Sequence, residues 1–452
     1  MSDFTLFREK METAGLGEAA IGAFERGYNL LQTGEKGLIE EKTIEPATDI
    51  PHSLEITNGL QDWNPQLLAQ TVVLKLNGGL GTGMGLQKAK SLLEVKNGET
   101  FLDLIVEQIT TLRSETGAQV RFLLMNSFST SEDTLASLKD GPLADEELEM
   151  LQNKAPKIDA KTMTPVSWPT DSEHEWCPPG HGDLYPALVG SGWLDRLLAD
   201  GIQYAFVSNS DNLGATLDPG LLNWFAASQA PFAMEVTRRT EADKKGGHLA
   251  IRKSDHRLVL REVAQCPEKD LPSFQDTSRH QFFNTNNLWL NLTALKEALT
   301  AADGVLPLPV IQNAKTADPR NKESTPVWQL ETAMGAAIEC FGGALAIEVP
   351  RSRFAPVKTT ADLFALRSDA YEKRPDGSVG LVAQRQGKPP VVHLSSEYKL
   401  VDSLENLGPV PSLIKAQSIA IEGSVHFAEN VTITGNASFT NCASVLPGSY
   451  GD

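Results

Sequence analysis

Gly78, Gly79, Gly81, Gly83 and Gly85 fall within eight positions, and Lys88 and Lys90 follow them. A backbone without Cβ atoms can take positive φ and turn successive N–H groups onto one anion. The two ammonium groups stand where a triphosphate across the loop needs its charge countered. Just before the glycines, Thr71 to Leu76 is rich in β-branched and apolar side chains and suits a buried strand. The Walker pattern fails because no glycine is followed by Gly-Lys-Ser/Thr at the right spacing. The dinucleotide pattern fails at its last position for both Gly79-Leu80-Gly81 and Gly81-Thr82-Gly83. An ordinary turn uses one or two glycines, so five favour a phosphate cradle of another design.

Four further stretches place polar groups and glycines after apolar runs. In Pro178-Pro179-Gly180-His181-Gly182-Asp183, two stiff residues aim the chain and two glycines permit close ligand approach. His181 between them is a donor for a phosphate or sugar oxygen, with a structural histidine as the alternative. In Ser208-Asn209-Ser210-Asp211-Asn212, an aspartate just past a core strand suits Mg²⁺, a hard cation that prefers carboxylate and phosphate oxygens. A helix cap is the other reading of Asp211. Asn209 and Asn212 offer neutral amide contacts, as do Asn284, Asn286 and Asn287, and amides suit sugar hydroxyls. In Pro350-Arg351-Ser352-Arg353-Phe354-Ala355-Pro356-Val357-Lys358, two prolines stiffen a segment that presents Lys358.

These loops need a scaffold. The alternation of strand, loop, helix and strand from Thr71 to Met125 predicts a βαβ unit, with a helix over Thr100 to Leu112 and a strand over Val120 to Met125. Further core strands are predicted at Gln203 to Ser208 and Pro231 to Val236. The fold class is α/β with a Rossmann-like sheet, whose ligands lie at the carboxyl ends of its strands. Ahead of it, Phe4, Phe7 and Met11, then Ala20, Phe24 and Tyr28, recur at helical steps around a break at Gly15 to Gly17. Glu45 to Pro65 reads as a surface linker. Near the C-terminus the period changes: Ile419, Val425, Val431, Ala437 and Ala443 recur every six residues, each followed two positions on by an apolar residue. That hexad predicts a parallel β-helix over about Pro411 to Pro447, with ordinary hairpins as the alternative. The division is an N-terminal helical segment and linker, 1–65, a catalytic domain, 66–400, and the β-helix, 401–452.

The 452 residues are 41% hydrophobic and 22% charged, with a net charge of −18. That charge argues against nucleic acid or an anionic membrane as partner and requires any cleft for anions to gather cations locally. Lys88, Lys90, Lys358 and the Arg351/Arg353 pair are the candidates. No run reaches a membrane span, and the N-terminus lacks the pattern of a secretory signal. Four scattered cysteines make no metal pair, so a reduced, cytoplasmic setting is expected.

Together LNGGLGTGMG with the following KAK, CPPGHGD, FVSNSDNLGATLD, FFNTNNLWL and VPRSRFAPVKTTADL resemble, in order and spacing, the motifs of the eukaryotic-type UTP:glucose-1-phosphate uridylyltransferases, also called UDP-glucose pyrophosphorylases. The resemblance implies a nucleotidyltransferase domain with a mixed, mostly parallel sheet and a C-terminal left-handed β-helix. It implies that UTP and glucose 1-phosphate, with Mg²⁺ on Asp211, give UDP-glucose and pyrophosphate. Leu80, Gly81, Gly83, Met125, Gln152 and Gly180 are then nucleotide contacts, with Gln152 on the uracil edge. Lys90 meets the phosphates of UTP, and Lys358 bridges the two reacting phosphates. His181, Asn209, Gly247, Asn284 and Asn286 meet glucose 1-phosphate or the UDP-sugar. Two other readings are a broad-specificity UDP-sugar pyrophosphorylase and a non-catalytic scaffold, the latter disfavoured by intact Lys90, Asp211 and Lys358. The polar tail after the β-helix favours a monomer, with association through that domain as the alternative.

Overall fold

The computed structural model describes residues 4–452. The seven strands that position the cleft are β1 (Thr71–Asn77), β2 (Arg121–Asn126), β3 (Glu149–Leu151), β4 (Tyr204–Asn209), β5 (Phe232–Arg238), β6 (Phe282–Asn291) and β7 (Leu345–Glu348). They belong to one mixed sheet with the order β7-β5-β6-β4-β1-β2-β3. Neighbours β4, β1, β2 and β3 pair in parallel, as do β5 and β7, whereas β6 is antiparallel to both β4 and β5. Six of the seven therefore point one way. Their carboxyl ends share an edge with the amino end of β6, so loops from all seven can converge there.

The sequence explains this arrangement locally. Every residue of β1 is buried, which is the mark of a central strand covered on both faces. Between β1 and β2 runs a helix, Phe101–Thr116, opened by a reciprocal cap in which Thr100 Oγ1 accepts from the Asp103 N–H and the Asp103 carboxylate accepts from the Thr100 N–H. Its Leu104, Ile105 and Ile109 join Val73 and Phe122 in one apolar layer. On the opposite face Val72, Leu74 and Leu76 pack with Leu184, Leu188 and Leu197.

Two helices, Thr5–Thr13 and Glu18–Thr33, form the predicted N-terminal stripe, and their Phe7, Met11, Phe24 and Tyr28 pack with Ala155, Ile158 and Leu330. The expected surface linker differs from what is found. Ile44–Pro46 pairs with His248–Arg252 at the sheet edge, and the Glu348 N–H donates to the Pro51 carbonyl, so this segment is stitched to the scaffold. Proline content suggested a surface linker, and hydrogen bonding at a sheet edge accommodates prolines.

At the C-terminus, Val391–Leu394, Ser412–Glu422, Val431–Thr440 and Gly448–Tyr450 form a parallel four-stranded sheet. Ile419, Ile421, Phe427, Ile433 and Val445 from this region join the layer that holds Phe101 and Val73. The polar tail after Pro447 is paired into this sheet, Val431 with Gly448 and Ile433 with Tyr450. It therefore gives no separate support for a monomer. Among the described residues no helix is long and apolar enough to cross a membrane.

Candidate active site

Register brings the predicted loops together. Asn209 pairs with Leu76, Asn77 with Asn126, and Asn126 with Leu151, so Gly78, Gln152 and Ser210 start their loops side by side. The Lys90 N–H donates to the Gly79 carbonyl at 3.0 Å, folding the glycine loop back on itself. Lys90 Nζ then reaches Asp211 Oδ2 at 2.6 Å and also donates to the Val357 carbonyl. The Val357 N–H in turn donates to the Asp211 carbonyl at 3.2 Å, immediately before Lys358. Three distant segments thus meet at Lys90, Asp211 and Lys358. Lys358 is exposed, with its ammonium 5.7 Å from the centre of the Phe354 ring, and its charge opposes the rise that burial causes in the Glu262 carboxyl pKa.

Asp211 keeps one oxygen in reserve. Oδ1 is buried and has no hydrogen-bond partner among the described residues. A buried carboxylate oxygen without a donor is costly unless a cation or ligand takes it. No group of three or more His, Cys, Asp or Glu residues gathers to hold a metal among the described residues. A single carboxylate fits Mg²⁺, which commonly uses one or two carboxylates and completes its shell with water and substrate phosphates.

His181 has a defined tautomer. The Met334 N–H donates to Nδ1 at 3.0 Å, so Nδ1 carries no proton and Nε2 carries it. Burial pushes the imidazole pKa down to about 4, leaving a neutral donor at pH 7. The flanking glycines have a different cause from the close ligand approach expected of them. Gly180 has φ 80°, and a Cβ there would stand 2.5 Å from the Thr332 carbonyl oxygen; one on Gly182 would stand 2.4 Å from Thr332 Oγ1. The close neighbour is the end of the strand Pro326–Thr332, whose Thr332 N–H donates to the Pro179 carbonyl.

Gln152 donates from Nε2 to the Gly180 carbonyl at 3.0 Å, and a Cβ at Gly78 would stand 2.6 Å from its Oε1. The amide is wedged between the two glycine loops. In the glycine loop only Gly81 and Gly85 take positive φ, 66° and 81°, so the conformational demand is narrower than five glycines suggested. Gly83 has open space where a Cβ would be, and Leu80 is half-buried in the same loop. Met125 is 2% exposed and its side chain belongs to the core beneath the loop.

The amides after Phe283 owe their aim to a bulge. Register between β5 and β6 slips between Glu235 and Val236, and Asn286 takes φ 59°. Asn284 and Asn286 then bond each other, Nδ2 to Oδ1 at 2.9 Å, at the shared edge. Asn209 makes no side-chain hydrogen bond among the described residues and stands at the end of β4. Gly247 lies against Glu262, whose carboxylate a Cβ would meet at 2.5 Å. Glu262 was not legible in the sequence, because it sits in no glycine-rich or amide-rich run and reaches the cleft only through folding.

Three expected cleft groups are engaged by protein partners instead. Arg353 is paired in a bidentate fork with Glu235, at 2.7 and 2.8 Å, and Arg351 with Asp243, so neither offers free charge to a substrate. Asn212 is 2% exposed, and its amide bonds the Arg353 carbonyl and the Ala355 N–H. Lys75 is buried in β1, its pKa pushed down to about 7 by desolvation, and donates to Ser208 Oγ and the Ala215 carbonyl. Lone polar residues in apolar runs were the signal for Lys75 and Glu235.

A family model described as UTP--glucose-1-phosphate uridylyltransferase matches residues 23–434. A UTP--glucose-1-phosphate uridylyltransferase from Solanum tuberosum is 42% identical over 374 residues, spanning 82% of this chain and 76% of the relative. A point mutant of the Leishmania major UDP-glucose pyrophosphorylase, solved in complex with UDP-glucose, superposes with a TM-score of 0.92 at 44% identity, covering 99% of this chain and 97% of that one. A Trypanosoma brucei structure described as UDP-glucose phosphorylase gives a TM-score of 0.89 at 48% identity, covering 98% and 97%.

Proposed function

The chain belongs to the UTP--glucose-1-phosphate uridylyltransferase family, and from that premise we propose how its cleft carries out the reaction. The protein is a nucleotidyltransferase that forms UDP-glucose and pyrophosphate from UTP and glucose 1-phosphate. The observation that carries the site assignment is the meeting of Lys90, Asp211 and the Val357-Lys358 backbone at the carboxyl edge of the sheet.

A phosphate oxygen of glucose 1-phosphate attacks the α-phosphorus of UTP in line, and the bond to the bridging oxygen of pyrophosphate breaks. Both reactants are anions, so the work of the protein is to bring them together and neutralise charge that grows on the phosphorus oxygens. Lys358 bridges the reacting phosphates. Lys90 turns from Asp211 to the phosphates of UTP. Asp211 would hold Mg²⁺, which when bound would supply positive charge beside those phosphates. Gln152, with Gly78 to Gly83 and Leu80, forms the uracil wall above Met125, and Gly180 closes it. His181 donates its Nε2 proton to a phosphate or sugar oxygen. Asn209, Gly247, Asn284 and Asn286 take the sugar hydroxyls, with Glu262 behind Gly247. The attacking phosphate is already ionised at neutral pH, so no general base is assigned.

The six-residue register of Ile419 to Val445 and the parallel pairing around it favour a short left-handed β-helix for the C-terminal region. Its last strand, Gly448–Tyr450, leaves an edge where a second copy would add if the chain self-associates. Unpaired cysteines, two of them buried, support a reduced cytoplasmic setting. The in-line step is tested with one diastereomer of UTP bearing sulfur on the α-phosphorus, which makes that phosphorus stereogenic. Inversion in the UDP-glucose product is expected. Retention would require an additional displacement and would overturn this mechanism.

A further inference from the structure

Asp211 and Lys358 lie on loops that leave different strands, and nothing in either loop alone fixes the distance between their charges. We propose that Asn212 is a positioning residue that clamps the Asp211 loop to the Lys358 loop, seated on the buried Glu235–Arg353 pair. The proposal rests on the reading that Asp211 and Lys358 serve the transfer.

The carboxamide of Asn212 joins the two loops from both of its ends. Its Nδ2 donates to the Arg353 carbonyl at 3.0 Å, and its Oδ1 accepts the Ala355 N–H at 3.1 Å. A side chain with one donor and one acceptor at fixed spacing can do this, and neither a carboxylate nor a hydroxyl can do both with the same reach. Two residues beyond Ala355, the Val357 N–H donates to the Asp211 carbonyl, and the next residue is Lys358. The two loops also touch at Gly214, where a Cβ would stand 2.1 Å from the Ser352 carbonyl oxygen.

The far side of the clamp is held by the sheet. Glu235 is fully buried and accepts from Arg353 Nε at 2.8 Å, Arg353 Nη2 at 2.7 Å, Asn287 Nδ2 at 2.9 Å and Trp289 Nε1 at 3.0 Å. Arg353 spends a further donor on the Thr216 carbonyl at 3.0 Å, back in the Asp211 loop. Lys75 secures the same loop by donating to the Ala215 carbonyl at 2.6 Å. Each buried polar group here has its partner, and fully satisfied networks of this kind rigidify what they connect. None of these side chains faces the cleft, so their effect on the reaction must pass through the two charges they place.

The test uses the full-length enzyme with Asn212→Asp, which keeps shape but turns the donor end into an acceptor facing the Arg353 carbonyl. Asn212→Ser is a second variant that removes reach without adding charge, and Arg353→Lys keeps the charge but loses the fork. Thermal melting, steady-state kinetics, and calorimetric titration of UTP with and without Mg²⁺ are measured for each. Misplacement of reacting groups by about 1 Å costs roughly 100-fold, so kcat for Asn212→Asp and Asn212→Ser should fall about that far. KM for UTP, and UTP affinity with and without Mg²⁺, should each change less than about threefold, as follows from a defect confined to transition-state placement. Arg353→Met, which removes both charge and fork, is measured beside them, and Arg353→Lys should recover part of its loss. Loss of kcat and UTP affinity in equal measure, or loss only in proportion to the unfolded fraction, would overturn the proposal. Lys358→Ala and Asp211→Asn are run alongside. If these two remain active, the site reading itself fails; if they are inactive while both Asn212 variants turn over normally, the clamp fails alone.

Discussion

Asp211→Asn should bind UTP more tightly than the parent enzyme when Mg²⁺ is absent, although it should turn over far more slowly when Mg²⁺ is present. In the free protein Lys90 is held by Asp211 Oδ2 at 2.6 Å, so its charge is committed to the chain and not to a nucleotide. The substitution releases Lys90 and removes an anion that faces the triphosphate. Two unit charges about 4 Å apart interact by about 4 kcal/mol at an effective dielectric of 20, as an upper bound. The Lys90 and Asp211 side chains are 14% and 20% exposed, and solvent screening reduces this to roughly 1–2 kcal/mol, or about a tenfold change in Kd. Calorimetric titration of UTP in excess chelator measures that change. With Mg²⁺ restored, kcat should fall by roughly 1,000-fold, the scale of losing one preorganised charge-stabilising element. Unchanged or weaker metal-free binding by the variant would refute the idea that Lys90 waits on Asp211 as the counter-charge for UTP.

Lys358→Ala should reduce kcat by roughly 100-fold or more while UTP affinity changes little, because the charge it meets is greatest in the transition state, and Lys358→Arg should rescue only in part; equal losses in both quantities would contradict the bridging role. His181, held neutral by burial with its pKa down at about 4, should make the fold sensitive to acid. Its unfolded form takes a proton below about pH 6.5 and its folded form does so only near 4, so the contribution is complete above 6.5 and is lost as pH falls towards 4, by roughly 3 kcal/mol. Urea midpoints at about pH 7 and pH 4.5, on either side of most of that window, measure the difference for the parent and His181→Gln, which should be smaller in the variant. Gly180→Ala forces a Cβ to 2.5 Å from the Thr332 carbonyl oxygen at φ 80° and should cost at least about 2 kcal/mol of stability, read from the same denaturation curves.

The parallel centre of the sheet was legible because β1 is an unbroken apolar run apart from Lys75, and because glycine and asparagine stop it sharply. The loops that meet at Lys90, Asp211 and Val357 were legible because glycines, amides or prolines set each apart from the apolar strand before it. What escaped was everything decided by a partner far away in sequence. Five glycines look alike in a string, yet only Gly81 and Gly85 have positive φ, while Gly180 and Gly182 are demanded by the strand that ends at Thr332. Arg353 looks like a phosphate ligand until Glu235 is placed opposite it on β5. Asn212 looks like a sugar contact until its amide is found spanning Arg353 and Ala355. Glu262 belongs to no motif, and its carboxylate has its place only because Gly247 carries no Cβ. The tail after Pro447 is polar in composition, but its backbone pairs with Val431–Thr440, and composition carries no information about such pairing.

The most direct test of the account is to supply the enzyme with UTP, Mg²⁺ and glucose, galactose, xylose or N-acetylglucosamine 1-phosphate, and to identify the nucleotide sugar by mass spectrometry. Asp211→Asn and Lys358→Ala accompany the parent. UDP-glucose formed far faster than the other products, and lost in both variants, is the predicted result. Comparable rates across the four sugars would contradict the assignment to glucose. Full activity in either variant would contradict the placement of the reaction at Lys90, Asp211 and Lys358.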